Sequence, residues 1–232
     1  MSPAPLPRWP ALCALLGLLT ACSPRVVKAP LDSQPTDSQG QDSQGQDSQG
    51  QDSQGQDSQG QDCTPLGAMF FDLGETLVVE RSDGLFEPAE GAEELLGALR
   101  AQGLPIGVIT NVPRGYDLDD LKALLSDPSI LEYFDVVLLS SQASAGPKPD
   151  PDIFREAVAA LASPPPIEQT AFVTEELEDL SDGDPPTEGA MAAGMIGVHV
   201  SDESPSPLVD YTVSPGELPS LATAEWVVCG GG

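Results

Sequence analysis

Short apolar runs that alternate with helix-like segments constrain the fold of this chain more than any other feature of its sequence. The apolar runs predict strands at residues 67–73, 104–110, 133–140, 169–174 and 196–200. Apolar or small side chains at helical spacing predict helices at residues 89–102, 117–125, 151–161 and 189–193. Strands that alternate with helices indicate an α/β fold in which a doubly wound, mostly parallel sheet has helices on both faces.

Three other stretches complete this interpretation of the globular part. Residues 80–88 are polar and include Gly84, which predicts a loop. Residues 226–228, Trp-Val-Val, form a candidate last strand. His199 is the only histidine and lies inside the apolar run 196–200, so a structural strand residue is favoured over a metal ligand.

Polar residues follow several of the predicted strands, and one lysine precedes the third predicted helix. In an open parallel sheet the carboxyl ends of the strands form the edge where ligands bind. An acid such as Asp72 could by itself be a turn residue or a helix cap. Polar residues recur in order along the chain at or near several strand ends, which makes a shared site the better interpretation. This ordered set consists of Asp72, Thr110, Asn111, Lys148, Thr174 and Glu175.

This ordered set resembles the motifs of the haloacid-dehalogenase-like (HAD) superfamily. The first motif matches at Asp72-Leu73-Gly74-Glu75-Thr76 and the second at Thr110-Asn111. The third matches at Lys148 in K-P-D-P-D-I-F, and the fourth matches loosely at Val173-Thr174-Glu175-Glu176. The resemblance covers about residues 67–200 and implies a Rossmann-like core. Because few residues separate the motifs, we expect a minimal cap or none.

The resemblance implies a phosphohydrolase that works through an aspartyl-phosphate. Asp72 would be the nucleophile, and Thr110, Asn111 and Lys148 would hold the phosphate and balance its charge. The implied substrate is a small-molecule or macromolecular phosphoester.

The resemblance also implies Mg²⁺ as the cofactor, because Mg²⁺ prefers hard oxygen ligands. Asp72, the backbone carbonyl of Gly74 and Glu175 would supply them. Asp179 is a candidate for a further acidic ligand.

Two departures from the family pattern bear on activity. Gly74 stands where the family usually carries a second Asp that acts as a general acid and base, a function worth roughly 10²–10⁴ in rate. Thr174-Glu175 replaces the usual Gly-Asp of the fourth motif. A catalytically degenerate binding or structural module is therefore the alternative. Metal-free hydrolysis of a carbon–halogen bond ranks last, because no deep cap would enclose a small haloacid.

The net charge of the chain limits the kinds of partner that it can bind. Asp and Glu number 37 against 9 Lys and Arg, which gives a formal net charge of −28. Such an acidic surface disfavours nucleic acid and anionic membrane surfaces as partners. Attraction of a phosphate would need a bound cation.

The N-terminus predicts export. Residues 1–21 carry Arg8 and an apolar stretch too short to span a bilayer, which favours a signal peptide. The sequence Leu19-Thr20-Ala21-Cys22 is similar to a bacterial lipobox, which implies cleavage before Cys22 and lipidation of its thiol. An ordinary signal peptide with an incidental cysteine is the alternative. We expect a lipid-anchored protein of the cell envelope, at the outer membrane or facing the periplasm.

Residues 22–62 form the predicted tether, and residues 63–232 form the predicted domain. From Asp32 to Asp62 the tether is built on the pentad D-S-Q-G-Q and has no aromatic or aliphatic side chain to bury, which predicts disorder. With Cys13 lost with the signal and Cys22 lipidated, Cys63 and Cys229 remain as a candidate disulfide.

Overall fold

The computed structural model describes residues 65–224. The predicted signal peptide, the lipidation site Cys22, the repeat, the cysteines Cys63 and Cys229 and the candidate strand at 226–228 lie outside the described residues. Among residues 65–224, no helix is both long and apolar enough to cross a membrane.

A six-stranded sheet of the order β5-β4-β1-β6-β7-β8 forms the centre of the domain, and every adjacent pair in it is parallel. The prediction of a mostly parallel, doubly wound α/β fold is therefore confirmed. A separate antiparallel pair joins β2 and β3. The strands are β1 (Ala68–Phe71), β2 (Val78–Glu80), β3 (Phe86–Pro88), β4 (Ile106–Thr110), β5 (Val136–Leu139), β6 (Thr170–Thr174), β7 (Ile196–Val200) and β8 (Tyr211–Val213).

Helices cover both faces of this sheet. Side chains alternate across a strand, so β1 sends Met69 and Phe71 into one apolar cluster and Ala68 and Phe70 into the other. The first cluster contains buried residues of α1 and α2, and the second contains those of α3, α4 and α5. The helices are α1 (Ala92–Ala101), α2 (Leu118–Leu124), α3 (Pro151–Ala159), α4 (Leu177–Leu180) and α5 (Gly189–Ala193).

The prediction of a loop at residues 80–88 was wrong, because this stretch belongs to a β-hairpin. Strands β2 and β3 pair with Val78 opposite Pro88. The turn closes through the Arg81 amide, which donates to the Leu85 carbonyl at 2.7 Å, and Gly84 supplies the positive φ of 81°. The hairpin is short and largely solvent-facing, so its strands lack the apolar alternation that would identify them in the sequence.

The sequence pattern also missed several other elements. They are α4, β8 and a 3₁₀ helix at Pro128–Tyr133, and two further 3₁₀ helices at Ile167–Gln169 and Pro215–Thr223 were missed as well. All but the last of these hold six residues or fewer, too few to produce a helical or strand periodicity, and the last contains Pro219 in its interior. The insertion between β1 and β4 consists of the hairpin and α1, which confirms the expectation of a minimal cap.

Candidate active site

Strand β1 delivers Asp72 to the carboxyl edge of the sheet between two neighbouring strands. Phe71 pairs with Val108 of β4 on one side and with Val173 of β6 on the other. The Asp72 amide continues this ladder by donating to the Val173 carbonyl at 2.9 Å. Thr110 ends β4 two residues beyond Val108, and it is only 7% exposed. The sheet register therefore places both polar residues at the same edge.

The chain turns sharply after Asp72. The Leu73 carbonyl accepts from the amides of both Leu77 and Val78 at 3.0 Å, which closes the turn. Glu75 sits at its outside, exposed and with a positive φ of 55°. The turn brings Thr76 back into the buried interior, and it leaves Gly74 partly exposed beside Asp72.

Lys148 joins two acids in the centre of the site. Its Nζ lies 2.7 Å from Asp72 Oδ1 and 2.6 Å from Asp179 Oδ2, and its side chain is only 2% exposed. Its ammonium also lies 5.3 Å from the centroid of the Phe172 ring. Asp179 comes from α4, directly after β6, so the fourth motif supplies an acid that meets the lysine of the third.

Asn111 fixes the backbone of the lysine loop. Its side-chain amide donates to the Lys148 carbonyl at 3.1 Å, and its Oδ1 accepts from the Lys148 amide at 3.0 Å. Both ends of the Asn111 side chain are thus engaged with one residue of the loop before α3. Asn111 therefore fixes the position of the Lys148 backbone.

The charges around Lys148 reinforce its ionised form. Burial alone would lower the pKa of Lys148, but the carboxylates of Asp72 and Asp179 outweigh it and raise that pKa above its ordinary value. Burial raises the pKa of Asp179, and the nearby lysine opposes that rise. A protonated Lys148 between two carboxylates is the arrangement that these interactions favour.

Glu175 directly follows β6 and is held through three contacts. The Thr76 hydroxyl donates to Glu175 Oε2, and Thr76 Oγ1 accepts from the Glu175 amide at 3.1 Å. His199 Nε2 lies 3.0 Å from the Glu175 carbonyl, which can only accept, so Nε2 carries the proton. Burial and the negative charge of Asp72 raise the pKa of Glu175 to about 7.

The donor chemistry of this edge fits a divalent cation. Four carboxyl groups, those of Asp72, Glu175, Glu176 and Asp179, share the site with the one ammonium of Lys148. Burial and mutual repulsion raise the pKa of Glu176 as well as those of Glu175 and Asp179. An anionic excess of hard oxygens is what Mg²⁺ requires. Within the described part of the chain, however, no three acidic, His or Cys side chains are grouped as closely as a bound ion would require.

The structure brings together most of the residues that the sequence singled out. Asp72, Lys148 and Asp179 are in direct contact, while Glu175 is engaged with Thr76 and influences Asp72 only through space. Their roles in phosphate and metal binding stay predictions.

Sequence reasoning missed two contributors to the site. The first motif includes Thr76 but assigns it no role, although Thr76 is the hydrogen-bond partner of Glu175. The sequence predicts His199 only as a strand residue. Its contact with Glu175 could not be found from the sequence, because the pairing of His199 with Thr174, the residue before Glu175, depends on sheet register.

The chain belongs to the haloacid dehalogenase-like hydrolases. The model of that family matches residues 49–181, which include the strand-end acid, the lysine loop and α4. Parallel order of the sheet and the position of Asp72 at the end of β1 are consistent with this membership.

Two curated relatives show how far the similarity extends. The haloacid dehalogenase-like hydrolase domain-containing protein 3 of Mus musculus is 35% identical over 135 residues, which cover 57% of this chain and 48% of that protein. The validoxylamine A 7'-phosphate phosphatase of Streptomyces hygroscopicus subsp. limoneus is 36% identical over 72 residues, which cover 31% of this chain and 32% of that enzyme. The chain spans between 25% and 48% of the length of the curated relatives it matches.

A solved structure shows the same fold. An uncharacterized protein from Listeria monocytogenes serotype 4b superposes with a TM-score of 0.52 at 21% identity, covering 68% of this chain and 96% of that protein. At this identity the likeness speaks for the fold alone.

Proposed function

We propose that this protein is a phosphohydrolase that cleaves a phosphoester through an aspartyl-phosphate on Asp72. One observation carries the proposal: Lys148 Nζ holds the Asp72 carboxylate at 2.7 Å, at the sheet edge where Thr110 also ends its strand. A buried carboxylate at the carboxyl edge of the sheet, with an ammonium group beside it to balance negative charge, is placed where a nucleophile for phosphoryl transfer would be needed. The phosphatase from Streptomyces hygroscopicus among the relatives is consistent with this chemistry.

The residues of the site would divide the work. The Asp72 carboxylate attacks phosphorus, and Lys148 and the Thr110 hydroxyl stabilise the charge on the phosphoryl oxygens. Asn111 keeps Lys148 in place through its two hydrogen bonds to the loop backbone. Water then attacks the aspartyl-phosphate and releases inorganic phosphate.

Mg²⁺ is the cofactor that we propose for this step. Asp72, the Gly74 carbonyl and Glu175 would hold it, and Asp179 is a further candidate ligand. When bound, the ion would neutralise the negative charge that accumulates when a phosphate meets this acidic edge. The excess of carboxylates over ammonium groups at the site supports this assignment.

Phosphate release with Mg²⁺ tests the proposal. The purified protein should hydrolyse p-nitrophenyl phosphate in the presence of Mg²⁺, and Asp72→Asn should abolish the turnover while the far-UV circular dichroism is retained. Asp83→Asn, which changes an exposed acid of the hairpin, is the matched control and should keep full activity. Mass spectrometry after rapid acid quench should detect a phosphoryl group on the Asp72 peptide of the active protein only.

A catalytically degenerate module is the second candidate function. It is favoured by Gly74, which lacks a proton-donating side chain, and by the engagement of Glu175 with Thr76. This alternative predicts a folded protein with no turnover on a broad panel of phosphoesters and with no Mg²⁺ binding by calorimetry. Release of halide from 2-chloropropionate without added metal would instead favour the carbon–halogen chemistry.

We also propose that the enzyme is tethered to the cell envelope by a lipid on Cys22, with residues 22–62 as the tether. Support comes from the sequence Leu19-Thr20-Ala21-Cys22 at the end of the apolar stretch. Expression in a bacterial host with a labelled fatty acid should mark the wild-type protein and should leave Cys22→Ser unlabelled. Labelling of both variants would contradict the proposal, and so would labelling of neither.

A further inference from the structure

The turn that follows the Asp72 nucleophile has no acid at Gly74, although there is room for one there. A carbon placed at the Cβ position of Gly74 would have no heavy atom within 4 Å, and the φ of Gly74 is not positive. An ordinary side chain therefore fits at Gly74. The chain nevertheless leaves this place without any group that could carry a proton.

The nearest proton donors among residues 65–224 are already engaged. Lys148 is held by Asp72 and Asp179, and the Asn111 amide is bonded to the lysine loop. The Thr76 hydroxyl donates to Glu175, and Glu175 as a ligand of Mg²⁺ would hold no proton. Each of these groups would have to give up an existing contact before it could serve a leaving group.

Among the described residues, Glu75 and Glu176 also have carboxyl groups close to Asp72 in the sequence or the fold, and neither side chain is held in place by a hydrogen bond or an ion pair. Glu75 is exposed at the outside of the turn, with a φ of 55°. Glu176 is exposed and follows Glu175 shortly after the end of β6. Gly74, by contrast, lies within the turn that Asp72 begins.

The absence of a placed acid has a direct chemical consequence. When Asp72 attacks, a bond forms between its oxygen and phosphorus, and the bond from phosphorus to the leaving oxygen breaks with its electron pair on that oxygen. An alkoxide leaving group needs a proton at this moment, and general acid help is worth roughly 10²–10⁴ in rate. A carboxylate or a phosphate leaves as a stable anion and needs no proton.

We infer that the substrate is an acyl phosphate or a phosphoanhydride, whose leaving group departs as an anion, and not an alkyl phosphomonoester. The inference rests on the proposed phosphohydrolase function. The aspartyl-phosphate that results is itself an acyl phosphate. Water hydrolyses it to inorganic phosphate, and the Asp72 carboxylate is restored.

A comparison of leaving groups tests the inference. With Mg²⁺, the wild-type protein should hydrolyse acetyl phosphate and pyrophosphate with a kcat/KM about 10²-fold or more above that for glycerol 3-phosphate. In a series of substituted phenyl phosphates, log(kcat/KM) should fall steeply as the leaving phenol becomes more basic. Equal rates for glycerol 3-phosphate and acetyl phosphate, or a flat series, would overturn the inference.

Gly74→Asp and Gly74→Asn form a matched pair of variants. Both side chains have nearly the same size, but only Asp can donate a proton. Gly74→Asp should raise kcat/KM for glycerol 3-phosphate by about 10²–10⁴ and flatten the phenyl series, and Gly74→Asn should do neither. A gain in both variants would overturn the inference.

Two further outcomes separate the failure of this inference from that of the proposed function. If glycerol 3-phosphate is hydrolysed well and Glu176→Gln removes that activity alone, an acid is present, and the inference fails while the proposed function stands. If the wild-type protein releases no phosphate from any of these substrates, the proposed function fails and the inference falls with it.

Discussion

Lys148 is the residue on which the balance of buried charge in this domain depends. One ammonium, 2% exposed, lies within 2.7 Å of two carboxylates that are each 11% exposed. Charges removed from water are tolerated only when they are paired and hydrogen-bonded. Replacement of the lysine would leave two acids facing each other with no cation between them, because no other Lys or Arg is paired with either in the described part of the chain.

Lys148→Met should destabilise the domain strongly. Breaking a buried ion pair by removal of one partner costs about 3–5 kcal/mol, and here one change breaks two pairs. The free energy of unfolding should therefore fall by at least that range in urea titrations, and phosphatase activity should be lost. Lys122→Met, which breaks an exposed pair with Asp119, should cost about 0.5 kcal/mol or less. Equal losses in the two variants would contradict this account of Lys148.

The stability of the metal-free protein should fall as the pH rises towards neutrality. Burial, with the charges of Asp72 and Glu176, raises the pKa of Glu175 from 4.5 to about 7. The folded state therefore binds this proton more tightly than the unfolded state does, and the resulting stability is present below pH 4.5 and is lost as the pH rises through about 7.

Urea unfolding in EDTA should show this trend as a falling midpoint across that window. Glu175→Gln keeps a partner for Thr76 but cannot ionise, so its midpoint should fall less. The pKa values of Asp179 and Glu176 are raised as well. The slope of the midpoint against pH should therefore be reduced in Glu175→Gln but not abolished. A slope that Glu175→Gln leaves unchanged would exclude Glu175 as its source.

At the scale of elements, the fit of β4 against β1 sets the geometry of the strand ends that form the site. Gly107 of β4 lies against the buried ring of Phe70 in β1, so a Cβ there would lie 2.6 Å from two of its ring carbons. Gly97 in α1 has no such neighbour, since a Cβ there would first meet Tyr133 at 4.0 Å. Neither glycine has a positive φ.

The same substitution at these two glycines should have opposite effects. Gly107→Ala overpacks the core and should destabilise the domain by about 1–3 kcal/mol. Gly97→Ala should stabilise it by about 0.5–1 kcal/mol, because alanine restricts the unfolded chain and favours the helix. Thermal unfolding of both variants checks the signs, and a stabilised Gly107→Ala would show that Phe70 can move aside.

For the whole molecule, the net charge of −28 dominates the electrostatics. Self-repulsion of like charges destabilises a compact state, and salt screens it: the Debye length is about 30 Å at 0.01 M and about 3 Å at 1 M. The midpoint of thermal unfolding should therefore rise with NaCl over this range. MgCl₂ at equal ionic strength should raise it further if the carboxylate edge binds the ion. Equal shifts with the two salts would contradict specific binding of Mg²⁺.

Much of the fold and of the candidate site could be predicted because the signals were local. The apolar runs of β1, β4, β6 and β7 and the spacing in α1 and α3 needed no knowledge of the rest of the chain. The hairpin of β2 and β3 could not be predicted, because its pairing is satisfied by backbone contacts between residues that are mostly polar or partly exposed. Strand β8 could not be predicted either, because three residues are too few to show a period.

The sequence by itself determined the type of fold, the family and the strand ends at which polar residues gather, because periodicity and motif order are properties of the chain. Only the tertiary structure decided which acids share the lysine. Asp179 meets Lys148, while Glu175, the expected metal ligand, turns to Thr76 and is held by His199. Contacts between residues far apart in the chain depend on sheet register and helix placement, which spacing along the sequence does not encode.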